Sequence, residues 1–153
     1  MIYIAHRGNL NGPDPINENK PEYLLTAISK GFYIETDLWL IDNILYLGHD
    51  IPQYKIEIEF LLHIKEWLFC HCKNIDALYF ILKNYNEIEC FFHNEDECVL
   101  TSKNHIWNYP DKKLTSLSIC VMPERVNKDI DIDNNCFGVC SDFVEIIKLS
   151  HTK

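Results

Sequence analysis

The chain has 153 residues, 47% apolar and 24% charged, with 5 glycines and 6 prolines. That composition fits one globular domain over residues 1–153 and excludes disordered, collagen-like and repeat architectures. The 23 acidic and 14 basic residues give a formal charge of −9, which opposes nucleic-acid backbones and anionic bilayers as partners and leaves open a small ligand or one gripped through a metal ion.

No run of about 18 apolar residues is present to cross a bilayer, and the N-terminus lacks a basic segment followed by a long apolar one. The seven cysteines, an odd number mostly inside apolar runs, read as reduced, buried thiols of a cytoplasmic protein. In chain order, the β-branched and aromatic run Ile2 to Ala5 predicts a buried strand that opens into a loop at His6-Arg7-Gly8. Tyr23, Leu24, Ala27 and Ile28 recur at helical spacing between Pro21 and Gly31, which predicts a helix over about 20–30. The runs 32–40 and 44–47, separated by Asp42-Asn43, predict a hairpin that ends in Gly48-His49-Asp50.

A helix over about 56–66, a strand over 67–73 and a helix over 75–84 follow, the last with Ala77, Leu78, Ile81 and Leu82 on one face. Beyond it lie short apolar runs at 90–93, 99–101, 106–107, 117–122 and 137–140, and a final helix over about 143–149. Strands alternating with helices indicate βαβ units and a parallel sheet, with most helices lost in the second half.

Period-two alternation places Glu35 and Asp37 on one strand face and Ile34, Thr36 and Leu38 on the other. On the next parallel strand Phe69, His71 and Lys73 share a face, opposite Cys70 and Cys72. Charged groups on inner strand positions are costly to bury unless paired or metal-bound. The C-terminal ends of strands are where α/β folds place their sites.

Taken in order, His6-Arg7-Gly8, Glu18-Asn19, Glu35-x-Asp37, Gly48-His49-Asp50 and His71-x-Lys73 resemble the glycerophosphodiester phosphodiesterase family, a metal-dependent (β/α)8-barrel group. The resemblance is close over residues 2–50 and looser on the third strand. It implies His6 and His49 as general acid and base, and Arg7 and Lys73 as phosphate-binding groups. Glu35 and Asp37 are implied as ligands of one divalent ion, Mg²⁺, Ca²⁺ or Mn²⁺. Glu18 matches the acidic residue at the entrance to the first helix, as a ligand or a partner of the ligands.

The chain departs from the family pattern in two places. The third strand usually carries E-x-K, so His71 either replaces the third carboxylate as a ligand or stands as an inner-layer histidine bonded to a neighbour. Imidazole coordination would favour Mn²⁺ over Ca²⁺. The substantial insertion that family members carry after H-D is missing. A typical barrel takes about 250 residues, so the chain is expected to form a reduced (β/α)8 barrel with several outer helices shortened or missing, in preference to an incomplete barrel.

Asp50, His93, Glu124 and Asp142, with Glu95, Asp96, Trp107, Met122, Pro123 and Ser141, follow short strands and are candidates to line the same mouth or support its residues. Cys70-x-Cys72 and Cys136-x₃-Cys140 look like metal-ligand pairs, but no repeated Cys-x₂-Cys accompanies them, and they read as structural thiols. Glu95 to Glu97 and Asp129 to Asp133 read as solvated loops.

These features lead to a metal-dependent phosphodiester hydrolase acting on a small glycerophosphodiester-like substrate. A phosphate-binding module without turnover and a lyase releasing a cyclic phosphate are the alternatives. The lack of a basic amphipathic segment argues against stable membrane association.

Overall fold

In a computed structural model describing residues 1–126 and 135–151, strands alternate with helices through the first half of the chain and largely replace them in the second. The 129–133 run lies outside the described residues. The order is β1 (Ile2–His6), α1 (Pro21–Ser29), β2 (Tyr33–Ile41), β3 (Ile44–Leu47), β4 (Tyr54–Ile56), α2 (Ile58–Ile64), β5 (Leu68–Cys72) and α3 (Ile75–Asn84). Then come β6 (Cys90–Phe91), β7 (Cys98–Leu100), β8 (Ile106–Asn108), β9 (Ser118–Val121), β10 (Gly138–Ser141) and α4 (Val144–His151). Single 3-10 turns occupy Lys65–Trp67 and Pro123–Arg125.

Local chemistry accounts for several boundaries. Pro21 opens α1 where its missing N–H costs nothing, and Gly31, at φ +79°, closes it with an N–H to the Ile28 carbonyl at 2.8 Å. Asp42 and Asn43 both take positive φ, 50° and 63°, giving the tight β2–β3 turn. The Asn74 side chain caps α3 by accepting the Ala77 N–H at 3.0 Å and also bonds the Leu40 carbonyl at 2.9 Å, fastening α3 to β2.

The expected helix over 56–66 is shorter. Buried Ile56 belongs to β4, paired with Leu45 of β3, and the helix starts only at Ile58.

The parallel path runs β6-β5-β2-β1-β10-β9-β8, with β7 antiparallel on β8 and the β3–β4 extension antiparallel on the distal half of β2. Among the described residues this makes one curled sheet with no ladder joining β6 to β8. The seam is crossed by the Ser102 N–H to the Cys90 carbonyl, at 2.9 Å, and by the Phe91 and Trp107 rings, 4.5 Å apart. The reduced (β/α)8 barrel with outer helices shortened or missing that the sequence led us to expect is met in part, as a curled α/β sheet with an open seam among the described residues. Residues 92–97 lead from β6 into β7, which turns back antiparallel and takes the edge of β8 away from β9.

Two apolar layers fix the sheet. Outside, Leu24, Ala27, Leu61, Ile64, Ala77 and Ile81 of the helices cover Ala5, Ile34, Leu38, Cys70 and Cys90. Inside, Ile4, Phe69, Phe91, Trp107, Ile119, Val121 and Cys140 form a buried floor. Six of the seven cysteines are buried, as read from sequence, while Cys98 is exposed. Among the described residues no helix is long and apolar enough to cross a membrane.

Candidate functional site

Each inner strand position continues the floor upward by two residues. Above Ile4 stands His6, above Tyr33 stand Glu35 and Asp37, above Phe69 stand His71 and Lys73, and above Cys140 stands Asp142. The same step takes Phe91 to His93 and Trp107 to Tyr109. The resulting cavity, about 520 Å³, lies at the C-terminal ends of the parallel strands and is lined by His6, Arg7, Glu35, His49, Asp50, His71, Lys73 and His93, and also by Trp107, Tyr109 and Arg125. Both arginines of the chain and four of its seven histidines thus face one space in a molecule of charge −9.

The turn after β1 is built to present Arg7. Its φ is 52°, its N–H donates to Glu35 Oε2 at 3.2 Å, and its Nη1 donates to Glu18 Oε2 at 3.2 Å, while Nε lies 3.1 Å from Asp37 Oδ2. Gly8 follows at φ +88°, where a Cβ would stand 2.8 Å from the Tyr23 ring. Burial opposes the Arg7 charge, but the Asp37 and Glu35 carboxylates outweigh it and raise its pKa. Glu18 also accepts from Asn9 Nδ2 at 2.8 Å and does not line the cavity. Its position is that of a clamp on Arg7, outside the Glu35, Asp37 and His71 cluster.

Asn19, buried and at φ 64°, donates to Asp37 Oδ2 at 2.9 Å, and its Oδ1 accepts the Asp37 N–H at 3.0 Å and the Thr36 hydroxyl at 2.6 Å. One side chain therefore sets both the backbone and the carboxylate of Asp37.

His6 bonds Asp142 Oδ1 through Nδ1 at 2.7 Å, while its Nε2 lies 3.9 Å from Glu35 Oε2. Asn9 donates to the same Asp142 oxygen at 2.8 Å, and Glu124 accepts the Asp142 N–H at 3.0 Å. Burial pulls the His6 pKa down, yet the Asp142 bond and the nearby Glu35 charge leave it above the ordinary 6.5. Burial raises Asp142 in turn, but the His6 and Asn9 bonds leave it below the usual carboxylate range.

His49 projects from the loop after β3. Gly48 makes this turn possible, because at φ +146° a Cβ there would fall 2.2 Å from the Ile51 carbonyl oxygen. Its carbonyl accepts the Trp39 indole N–H at 2.6 Å. His49 Nδ1 bonds the largely exposed Asp50 at 2.6 Å, and burial, helped by Arg7 and Lys73, lowers its pKa below 6.5. The two histidines are pushed in opposite directions.

Glu35, Asp37 and His71 bring one ligand atom each within 4.8 Å of one another. His71 Nδ1 stands 3.0 Å from Asp37 Oδ1 and 3.7 Å from Glu35 Oε1, and Lys73 Nζ stands 3.6 Å from Asp37 Oδ1. The His71 ring lies nearly flat across Phe91 and His93, at 3° and 7° to their planes. Burial would raise Asp37, but His71, Arg7 and Lys73 hold it well below the usual range, whereas burial beside Asp37 raises Glu35. His93 is lowered to about 4 by burial and by the charges of His71 and Lys73.

Asp37 Oδ1 is buried and accepts no hydrogen bond. Two carboxylates and an imidazole around such an oxygen fit a divalent cation.

The fold is similar to that of a solved phosphodiesterase. A glycerophosphodiester phosphodiesterase from Parabacteroides distasonis ATCC 8503 superposes over 99% of this chain and 97% of its own, with a TM-score of 0.54 and 13% sequence identity. At that identity the likeness is one of fold. No protein-family model and no curated protein matches the chain.

The structure brings His6, Arg7, Glu35, His49, His71 and Lys73, with Asp50 and His93, to one cavity, and buries Asp37 beside its wall, 3.0 Å from His71. Glu124 and Asp142 stand behind His6 instead of on the wall. Missed were Asn9, the role of Asn19, Tyr109 and Arg125. An asparagine in a left-handed turn beside an acidic strand residue was a usable signal for Asn19. None existed for Asn9, whose bond to Asp142 spans 133 positions.

Proposed function

We propose that the chain is a metal-dependent phosphodiester hydrolase acting on a small glycerophosphodiester-like substrate. The observation that carries this reading is a single cavity in which oppositely shifted histidines, an arginine and a lysine surround a buried Glu35–Asp37–His71 cluster. Its size, about 520 Å³, suits a small molecule. In a chain of net negative charge, the concentration of cationic and imidazole groups there favours a phosphate.

Glu35, Asp37 and His71 would hold one divalent ion, which supplies neutralisation of phosphoryl charge and polarisation of a phosphoryl oxygen. The imidazole in that set favours Mn²⁺ over Ca²⁺. Arg7, fixed by Glu18 and Asp37, turns its remaining donors and Lys73 its ammonium toward phosphate oxygens. His49, whose pKa is lowered, takes the proton of an alcohol hydroxyl as its oxygen bonds to phosphorus, and His6, whose pKa is raised, gives a proton to the departing oxygen. Water then opens the cyclic phosphate with the two histidines in exchanged roles.

The test is incubation of metal-stripped protein with glycerophosphocholine and bis-p-nitrophenyl phosphate, adding Mg²⁺, Ca²⁺ or Mn²⁺ in turn. Metal-dependent release is expected, strongest with Mn²⁺ and lowered about 10²- to 10⁴-fold in His6→Ala. Turnover that ignores both chelator and the mutation overturns the reading, and accumulation of a cyclic phosphate would make the protein a lyase.

A further inference from the structure

Arg7 and Arg125, the chain's two arginines, both line the cavity but are held very differently. The Arg7 guanidinium lies 3.2 Å from Glu18 and 3.1 Å from Asp37, which compensate its charge. Among the described residues no carboxylate pairs with Arg125.

Its backbone, by contrast, is anchored. Arg125 ends the 3-10 turn Pro123–Arg125, in which Pro123 is buried, Glu124 accepts the Asp142 N–H at 3.0 Å, and the Arg125 N–H donates to the Met122 carbonyl at 3.0 Å. The Arg125 side chain itself is exposed, and a guanidinium mounted on a fixed turn at a cavity wall offers a planar fork matched to two oxygens of an anion.

We propose that Arg125 binds a second anionic group, a phosphate or carboxylate on the alcohol portion of the substrate, so that the preferred substrates are phosphodiesters bearing an additional negative charge. The inference rests on the phosphodiester reading for the group placed at Arg7. Trp107, Tyr109 and Met122 supply the wall along which the carbon chain between the two anions would lie. Arg125 also borders the adjoining groove that holds Glu95, Asp96 and Glu97, but among the described residues none of these carboxylates pairs with it and none lines this cavity, where a cationic alcohol would have to be attracted.

Calorimetric titration tests this with propyl phosphate as the probe that carries one anionic group. It is compared with alkanediol bisphosphates of two to six carbons and ω-phosphoryloxy alkanoates of the same lengths. The best probe with two anionic groups is expected to bind wild-type protein about tenfold more tightly than propyl phosphate, as one charge-assisted contact implies. In R125Q that ratio falls toward one, and R125K retains part of it. Which series gains identifies the anion as phosphate or carboxylate.

The proposal is overturned if no probe gains more than about threefold, or if the gain survives in R125Q. Bis-p-nitrophenyl phosphate hydrolysis is read separately. An Arg125-dependent gain without turnover sinks the hydrolase and keeps the anion subsite, whereas turnover without the gain does the reverse.

Discussion

The His6 imidazole reaches the cavity with one nitrogen committed, because Nδ1 is bonded to Asp142 and Asp142 is itself fixed by Asn9 and Glu124. This arrangement sets which proton transfers are available to each histidine. With a pKa above 6.5, His6 serves as an acid that is lost as pH rises through that value. His49, below 6.5, serves as a base that is lost as pH falls through its own. The pH–rate profile is therefore expected to be a bell with His49 on the acidic limb and His6 on the alkaline one.

Asp142→Asn removes a charge and a bond that raise the His6 pKa, so the alkaline limb should move to lower pH while the acidic limb stays. The maximal rate should drop by about 10- to 100-fold. A uniform loss at every pH, with both limbs in place, would reduce Asp142 to scaffolding.

At the level of elements, the segment between β1 and α1 carries more of the site than any helix. It supplies Arg7, Glu18 and Asn19, and it contains two of the left-handed non-glycine residues, Arg7 and Asn19. Asn19→Ala gives up the short polar side chain that makes the left-handed φ tolerable, about 1–2 kcal/mol, together with the bonds to the buried Thr36 hydroxyl and Asp37 N–H, about 1–3 kcal/mol. Urea denaturation should show a loss of about 2–5 kcal/mol in total. Asn19→Gly should recover about 1 kcal/mol by relieving the backbone alone. Equal losses in the two variants would place the whole effect in the side-chain bonds.

Much of this element level was legible in the sequence. Pro21 and Gly31 bracket α1, Asp42-Asn43 turn the hairpin, and alternation assigns Glu35 and Asp37 to the inner face. The end of β4 was not legible, because Ile56 fits an apolar helix pattern as well as a strand and only its pairing with Leu45 decides. Asp142 was readable as a candidate, but its bond to a histidine 136 positions away depends on β10 folding beside β1.

For the molecule as a whole, the open seam is the feature that sequence length foreshadowed and local pattern hid. The alternation of strands and helices pointed to a parallel sheet and the family resemblance implied a barrel, while β7 takes the edge of β8 and, among the described residues, no ladder joins β6 to either. With no ladder between β6 and β8, the two ends of the sheet are held by side chains, chiefly buried Trp107 against Phe91 at 4.5 Å and Phe69 at 6.0 Å. Truncating a buried tryptophan costs about 3–5 kcal/mol, and here the loss falls on a joint with few backbone bonds to share it. Trp107→Ala should therefore lower global stability by that amount and also raise hydrogen exchange selectively in β6 and β7. β1, β2 and β10, laddered on both sides in the middle of the sheet, should keep protection equal to the global value. Because Trp107 also forms part of the cavity wall, a seam that opens first in exchange would tie the weakest joint of the sheet to the site itself. Uniform exchange across all parallel strands would instead mean that the curled sheet unfolds as one unit and that the seam is no weaker than a ladder.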